Sequence, residues 1–147
     1  MEIVQVNLKN REEIKKIIDT IYAVFLACNK NDSTERLIER MRILYGPWYD
    51  YASAIVHFQE TNIFFIAKEN DGILGVVRWT PEKLTNLFIP KEQQWKWVGK
   101  KLLDIFEEEA KKMWSTVIRL KSSKYALPFY LKNGYTVEQD NRLIKYL

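Results

Sequence analysis

Leu84-Thr85-Asn86-Leu87-Phe88-Ile89-Pro90-Lys91-Glu92-Gln93-Gln94-Trp95-Lys96-Trp97-Val98-Gly99-Lys100-Lys101-Leu102-Leu103 changes its period part of the way along. Leu84 to Ile89 reads as a strand, closed by Pro90, which has no amide to give to a ladder. From Val98 the apolar residues recur at three and four, through Leu102, Ile105, Phe106, Ala110 and Met113. That spacing predicts a helix from about Gly99 to Met113 with one buried face. Val117 to Leu120 is a short apolar run again. A strand, a helix and a strand in this order form a crossover unit, right-handed in nearly every parallel pair. The loop between the first strand and the helix delivers the chain to a helix N-terminus, where the first amides lack partners and the dipole is positive, a setting that favours an anion.

Upstream, Ile63-Phe64-Phe65-Ile66-Ala67, a turn at Asn70-Asp71-Gly72 and Ile73 to Trp79 predict an antiparallel hairpin that Pro81 ends. Further back the pattern is helical. Glu2 to Leu8 alternates as a strand, and Asn10 with Glu13 resembles a capping box opening a helix whose stripe, Ile14, Ile17, Ile18, Ile21, Tyr22 and Phe25, runs to about Cys28. Asp32 with Glu35 reads as the cap of a second helix carrying Leu37, Ile38, Met41, Leu44 and Tyr45. Gly46 ends it, and Pro47 suits the first turn of a third with Trp48, Tyr51, Ala52 and Ile55. Downstream, a short helix ends at Gly134 and strands follow around Tyr135 to Val137 and Leu143 to Leu147. The fold class is α/β, an α+β arrangement with a central twisted mixed sheet of about six to seven strands flanked by four to five helices.

The 147 residues suit one domain spanning 1–147, since domains run to roughly 100–200 residues. A 47% hydrophobic fraction against 29% charged excludes a disordered chain, and a net charge of +4 falls short of a protein built around nucleic acid. The single cysteine, Cys28, excludes an internal disulfide framework and a multi-cysteine zinc site. The first residues carry no basic leader, and Ile21 to Cys28, the longest apolar stretch, is far shorter than the roughly 20 residues of a spanning helix. The expectation is a cytoplasmic protein without a membrane partner. Five Trp and eight Tyr leave enough large apolar surface for a homodimer interface.

Two motifs carry a resemblance. Leu87-Phe88-Ile89 followed by Gln94-Trp95-Lys96-Trp97-Val98-Gly99 and Leu102-Leu103 resembles the acetyl-CoA motif of the GNAT N-acetyltransferases, a Gln or Arg, two variable residues, Gly, one residue, then Gly or Ala. Gln94 and Gly99 match, Gln94 falls five places after Ile89 as the family spaces it, and Trp97 stands where the family has its first glycine. Ala126-Leu127-Pro128-Phe129-Tyr130-Leu131-Lys132-Asn133-Gly134-Tyr135 resembles the family's Ala, Phe-Tyr and closing Gly-Phe at the same offsets. The order of strands and helices follows the family's along the whole chain.

The resemblance implies the GNAT fold, acetyl-CoA as co-substrate and an amine-bearing small molecule or protein as acceptor. It places the pyrophosphate on the loop Gln94, Trp95, Lys96, Trp97, Val98, Gly99 and Lys100, and the pantetheine arm beside Ile89. Tyr130 becomes the general acid that protonates or hydrogen-bonds the leaving thiolate, and Ser123 stands where many members have Asn. Trp97 adds a Cβ and an indole at a glycine position, so the loop must either keep a negative φ or swing the ring outward. Lys91, Lys96, Lys100 and Lys101 surround the loop, as phosphate partners or as a solvated face. The family's usual glutamate position is Lys83 here, so no base carries over. Glu82 beside it faces the other side by strand alternation, and His57 with Glu60, a water relay and Cys28 as a nucleophile are the alternatives. Phe25, Asn29, Tyr45, Trp48 and Tyr49 are the acceptor-side candidates, most of them expected in the core. Two other classes stay open, a GNAT-fold binding module without transferase activity and a single-strand nucleic-acid surface built on Trp95-Lys96-Trp97.

Overall fold

The computed structural model describes residues 1–80, 83–94 and 97–147, with the backbone alone over 83–86. The chain opens with β1 (Glu2–Gln5) and α1 (Arg11–Val24). Asn10 caps α1, its Oδ1 accepting from Glu13 N at 3.2 Å. The Glu13 carboxylate does not return to the cap. It takes Lys68 Nζ at 3.2 Å and ties α1 to the sheet. Ile14, Ile17, Ile18 and Ile21 are fully buried, the face that the spacing of three and four foretells.

Beyond Val24 the helix widens into a π turn, Phe25–Asn29, and then tightens into a 3-10 turn, Lys30–Asp32. The apolar stripe expected to reach Cys28 in α geometry therefore leaves it at Phe25. Asp32, expected to cap α2 (Glu35–Tyr45), is consumed by the 3-10 turn, and the cap is Thr34, whose Oγ1 accepts from Leu37 N at 3.2 Å. Pro47 does not open α3 (Tyr51–Gln59) either. Gly46 to Tyr49 form a turn, Tyr49 N bonding Gly46 O at 3.0 Å, and Asp50 caps the helix by accepting from Ser53 N at 3.1 Å. A carboxylate that satisfies an orphan amide outcompetes a proline that only tolerates the position.

β2 (Ile63–Glu69), β3 (Gly72–Thr80) and β4 (Lys83–Phe88) complete an antiparallel sheet in the order β1-β2-β3-β4, with Phe64 opposite Arg78 and Val76 opposite Phe88. Pro81 lies outside the described residues. α4 (Val98–Lys112) leads to β5 (Val117–Lys121), α5 (Leu127–Lys132), β6 (Thr136–Gln139) and β7 (Arg142–Tyr146), and these strands form a second antiparallel sheet in the order β5-β7-β6. Strand and helix numbers among the described residues agree with the expected fold. The ladder, however, is interrupted between β4 and β5, so one continuous sheet is replaced by two that separate at the crossover.

Alternation along β2 and β3 sends Phe64, Ile66 and Val76 to the face covered by α1, α2 and α3, and Ile63, Ala67, Val77 and Trp79 to the face covered by α4. Gly75 makes the second packing close. A Cβ on it would stand 2.7 Å from both Ile89 Cδ1 and Leu102 Cδ1, and 3.0 Å from Val98 Cγ1. The start of α4 and the end of β4 therefore meet over a residue without a side chain. Among the described residues no helix is long and apolar enough to cross a membrane.

Candidate active site

The end of β4, the loop after it and the start of α4 stand beside the separation of the two sheets. After Pro90 the chain makes a 3-10 turn, Lys91–Gln93, and reaches Gln94, whose Nε2 donates to Ile89 O at 2.9 Å. Trp95 and Lys96 lie outside the described residues. Trp97 has φ 64° and ψ 9°, the left-handed region that costs a side-chain-bearing residue about 1–2 kcal/mol. Its ring is 70% exposed. Of the two alternatives open at this position, a negative φ is thus not adopted. The backbone keeps the conformation a glycine would hold, with the indole turned out to solvent.

Trp97 offers no side-chain cap, and the first bond of α4 runs from Lys101 N to Trp97 O at 3.0 Å. The amides of Val98, Gly99 and Lys100 precede it, the usual orphans of a helix start. Gly99 is buried, and a Cβ there would come 3.3 Å from Phe129 Cζ and 3.5 Å from Ile89 Cγ1, so its bareness serves the packing of α4 on α5. Lys100 Nζ pairs with Asp104 Oδ2 at 2.9 Å, one turn further along the helix. Ile89 is half-buried with its carbonyl committed to Gln94.

Tyr130 is 4% exposed, between the rings of Phe129 and Tyr135 at centroid distances of 5.4 and 5.5 Å. Its hydroxyl bonds no other described residue. Burial pushes its pKa well above the ordinary phenol value, so it holds its proton. Tyr135, also raised, chiefly by burial and then by Glu107, instead donates to Glu107 Oε2 at 2.9 Å. Lys145 Nζ completes that network, with Glu107 Oε1 and Asn133 O each at 2.9 Å. Ser123 Oγ accepts from Ala126 N at 3.1 Å, and its carbonyl accepts from Leu127 N at 3.1 Å, which makes it a fastening of the turn into α5.

The base candidates do not converge on Tyr130. Glu82 lies outside the described residues, and Lys83 is described by its backbone alone. His57 Nε2 is 3.0 Å from Arg78 Nη2, and a guanidinium only donates, so Nε2 accepts and the proton sits on Nδ1. Burial, then the Arg78 charge, holds the His57 pKa down at about 4. Its lone pair is committed and it is neutral. Cys28 is half-buried on the π turn, and not sealed in the stripe, with Sγ 3.8 Å from Gln94 Nε2.

Arg78 is the residue that sequence reasoning missed. Only 2% exposed, it reaches Tyr45 Oη with Nη2 at 3.1 Å and Thr61 Oγ1 with Nη1 at 3.4 Å, and its Cζ lies 5.0 Å from the Phe58 ring centroid. A lone arginine between Val77 and Trp79, in a strand apolar on both faces, was the available signal. Among the acceptor-side candidates, Phe25 and Tyr45 are core, Asn29 and Tyr49 are half-buried, and Trp48, counted with residues mostly expected in the core, is 91% exposed.

These features place a helix N-terminus and a buried phenol beside a split sheet in an α/β fold. The model of the acetyltransferase (GNAT) domain matches residues 47–145, and the chain belongs to that family. It is therefore an acetyltransferase by class, and acetyl-CoA is the co-substrate of the class. No curated relative matches the sequence. Among solved structures, the PaiA N-acetyltransferase of Thermoplasma acidophilum in complex with coenzyme A is 23% identical, with a TM-score of 0.77 over 99% of this chain and 98% of that one. The aminoglycoside 6'-N-acetyltransferase of Enterococcus faecium is 16% identical, with a TM-score of 0.69 over 99% and 97%. A GNAT family acetyltransferase of Brucella melitensis in complex with acetyl-CoA is 14% identical, with a TM-score of 0.65 over 99% and 87%. At these identities the likeness is one of fold.

Proposed function

We propose that residues 1–147 act as one unit that transfers an acetyl group from acetyl-CoA to an amine, carried by a small molecule or by a protein. The observation that carries this reading is the backbone at Trp97, which keeps a left-handed φ and turns its ring to solvent. The amides at the start of α4 are left facing the loop with no side-chain cap, and these amides, with the positive end of the helix dipole, hold the pyrophosphate. Lys91 and Lys101, which enter no ion pair among the described residues, add charge nearby. Ile89 aligns the pantetheine arm by its main chain. Ser123 acts by fastening the turn into α5.

Acetyl-CoA supplies an activated thioester carbonyl. Tyr130 acts on the departing sulfur. An ordinary thiol has a pKa of about 8.5, below that of a phenol raised further by burial, so complete proton transfer from Tyr130 is uphill. Tyr130 therefore donates a hydrogen bond to the leaving thiolate and keeps its own proton, and the thiolate takes its proton from solvent once it departs as coenzyme A. His57, neutral and bonded to Arg78, takes no part, and water removes the proton of the attacking amine. The single half-buried thiol suits the reducing cytoplasm.

The test is incubation with acetyl-CoA and a panel of amines comprising a polyamine, an aminoglycoside, a peptide N-terminus and a lysine peptide, with the products weighed by mass spectrometry. Transfer of one acetyl group to an amine supports the reading. No transfer to any of them, with coenzyme A bound, would leave a binding module in its place.

A further inference from the structure

The Gln94 side chain ties together segments far apart in sequence. Its Nε2 donates to Ile89 O at 2.9 Å, its Oε1 accepts from Tyr125 Oη at 2.7 Å, and the same Nε2 lies 3.8 Å from Cys28 Sγ on the π turn. The amide has one orientation in this setting. The Ile89 carbonyl only accepts, so nitrogen must face it, and the oxygen is left for a donor. Tyr125 supplies that donor. Partial burial is the first cause that raises its pKa, the neighbouring Cys28 adding to it, so the hydroxyl stays protonated. Tyr125 is 44% exposed, and its ring adds little to the core. Its hydroxyl meets two groups, the Gln94 amide oxygen at 2.7 Å and the Cys28 thiol.

We propose that Tyr125 is a positioning residue for coenzyme A, acting through Gln94. The hydroxyl fixes the amide, the amide fixes the loop to the end of β4, and the loop then presents the α4 amides in one arrangement. Tyr125 also stands two residues before α5, so the same bond couples the phosphate end of the site to the helix that carries Tyr130. The inference rests on the acetyl-CoA reading above.

The experiment is calorimetric titration of coenzyme A into the full chain, as wild type, Tyr125→Phe, Gln94→Ala and the double variant. Tyr125→Phe should weaken Kd by about three- to tenfold, the worth of one hydrogen bond, with the melting temperature of the free protein unchanged. The double variant should bind no more weakly than Gln94→Ala alone, because both remove one connection. With an amine that accepts the acetyl group, KM for acetyl-CoA should rise by the same factor while kcat changes less than twofold. Equal Kd values for wild type and Tyr125→Phe, or additive losses in the double variant, would overturn the proposal. A wild type that does not bind coenzyme A would instead overturn the acetyl-CoA reading itself.

Discussion

Tyr45 and Tyr130 are both buried phenols, on opposite faces of the first sheet, and their hydroxyls are treated differently. Tyr45 Oη receives Arg78 Nη2 at 3.1 Å, within a cluster that also takes up His57 and Thr61. Tyr130 has apolar and aromatic neighbours and no hydrogen bond to another described residue. A buried polar group ordinarily finds a partner, because leaving one unpaired costs about 1–3 kcal/mol. On the α1–α3 face that rule is met within the protein and the cluster is structural. On the α4 face the Tyr130 hydroxyl has no partner among the described residues and is not sealed from solvent, so it is open to a ligand. On the proposed function, two residues of one type are thus separated into scaffold and chemistry by what surrounds them.

Replacing each phenol by phenylalanine tests the contrast. The largest effect belongs to Tyr130→Phe, which should lower turnover about 100-fold or more, the range of a positioned proton donor, with the melting temperature unchanged or raised. An undiminished kcat would break the comparison on its functional side. Tyr45→Phe should cost about 1–3 kcal/mol of unfolding free energy in urea, since the buried guanidinium loses an acceptor. A fall in turnover beyond what unfolding explains would move Tyr45 into the site. The last effect is a pH dependence. His57 titrates at about 4 in the folded chain against an ordinary 6.5, so between these values the unfolded chain binds the extra proton. Stability should therefore decline as pH falls from about 6.5 toward 4, and His57 should add no further decline below that. His57→Gln, which can still accept from Arg78 but does not titrate, should flatten this interval. An unchanged slope in the variant would assign it to the carboxylates.

Residues that act locally were legible. Asn10 caps α1 and the isoleucine stripe is buried because caps and periodicity depend only on near neighbours. The strand, helix and strand order around α4 and the Gly134 turn, at φ 91°, followed from the same kind of signal, whereas the parallel pairing expected of that unit is not formed. Thr34 in place of Asp32 did not follow, because the π turn after Val24 alters the phase of the chain and no local pattern announces it. At the site, the Gln94 and Tyr130 positions could be read from motif spacing. Three things could not: the left-handed backbone of Trp97, the close approach over Gly75 and the reach of Tyr125 across 31 residues to Gln94. Each depends on tertiary packing. Arg78 lies between, since its position in an apolar strand was visible and its partners on α2 and α3 were not.

The central claim is that the start of α4 binds coenzyme A despite a tryptophan at a glycine position. The most direct measurement is the shift in melting temperature with acetyl-CoA, beside dephospho-CoA and ATP. At about a hundred times its dissociation constant a ligand adds roughly 2.7 kcal/mol, which for a chain of this size raises the midpoint by roughly 6–10 °C. The account predicts a shift of that order with acetyl-CoA, larger than with either control. No shift at millimolar acetyl-CoA would contradict it and would mean that the Trp97 ring closes the site.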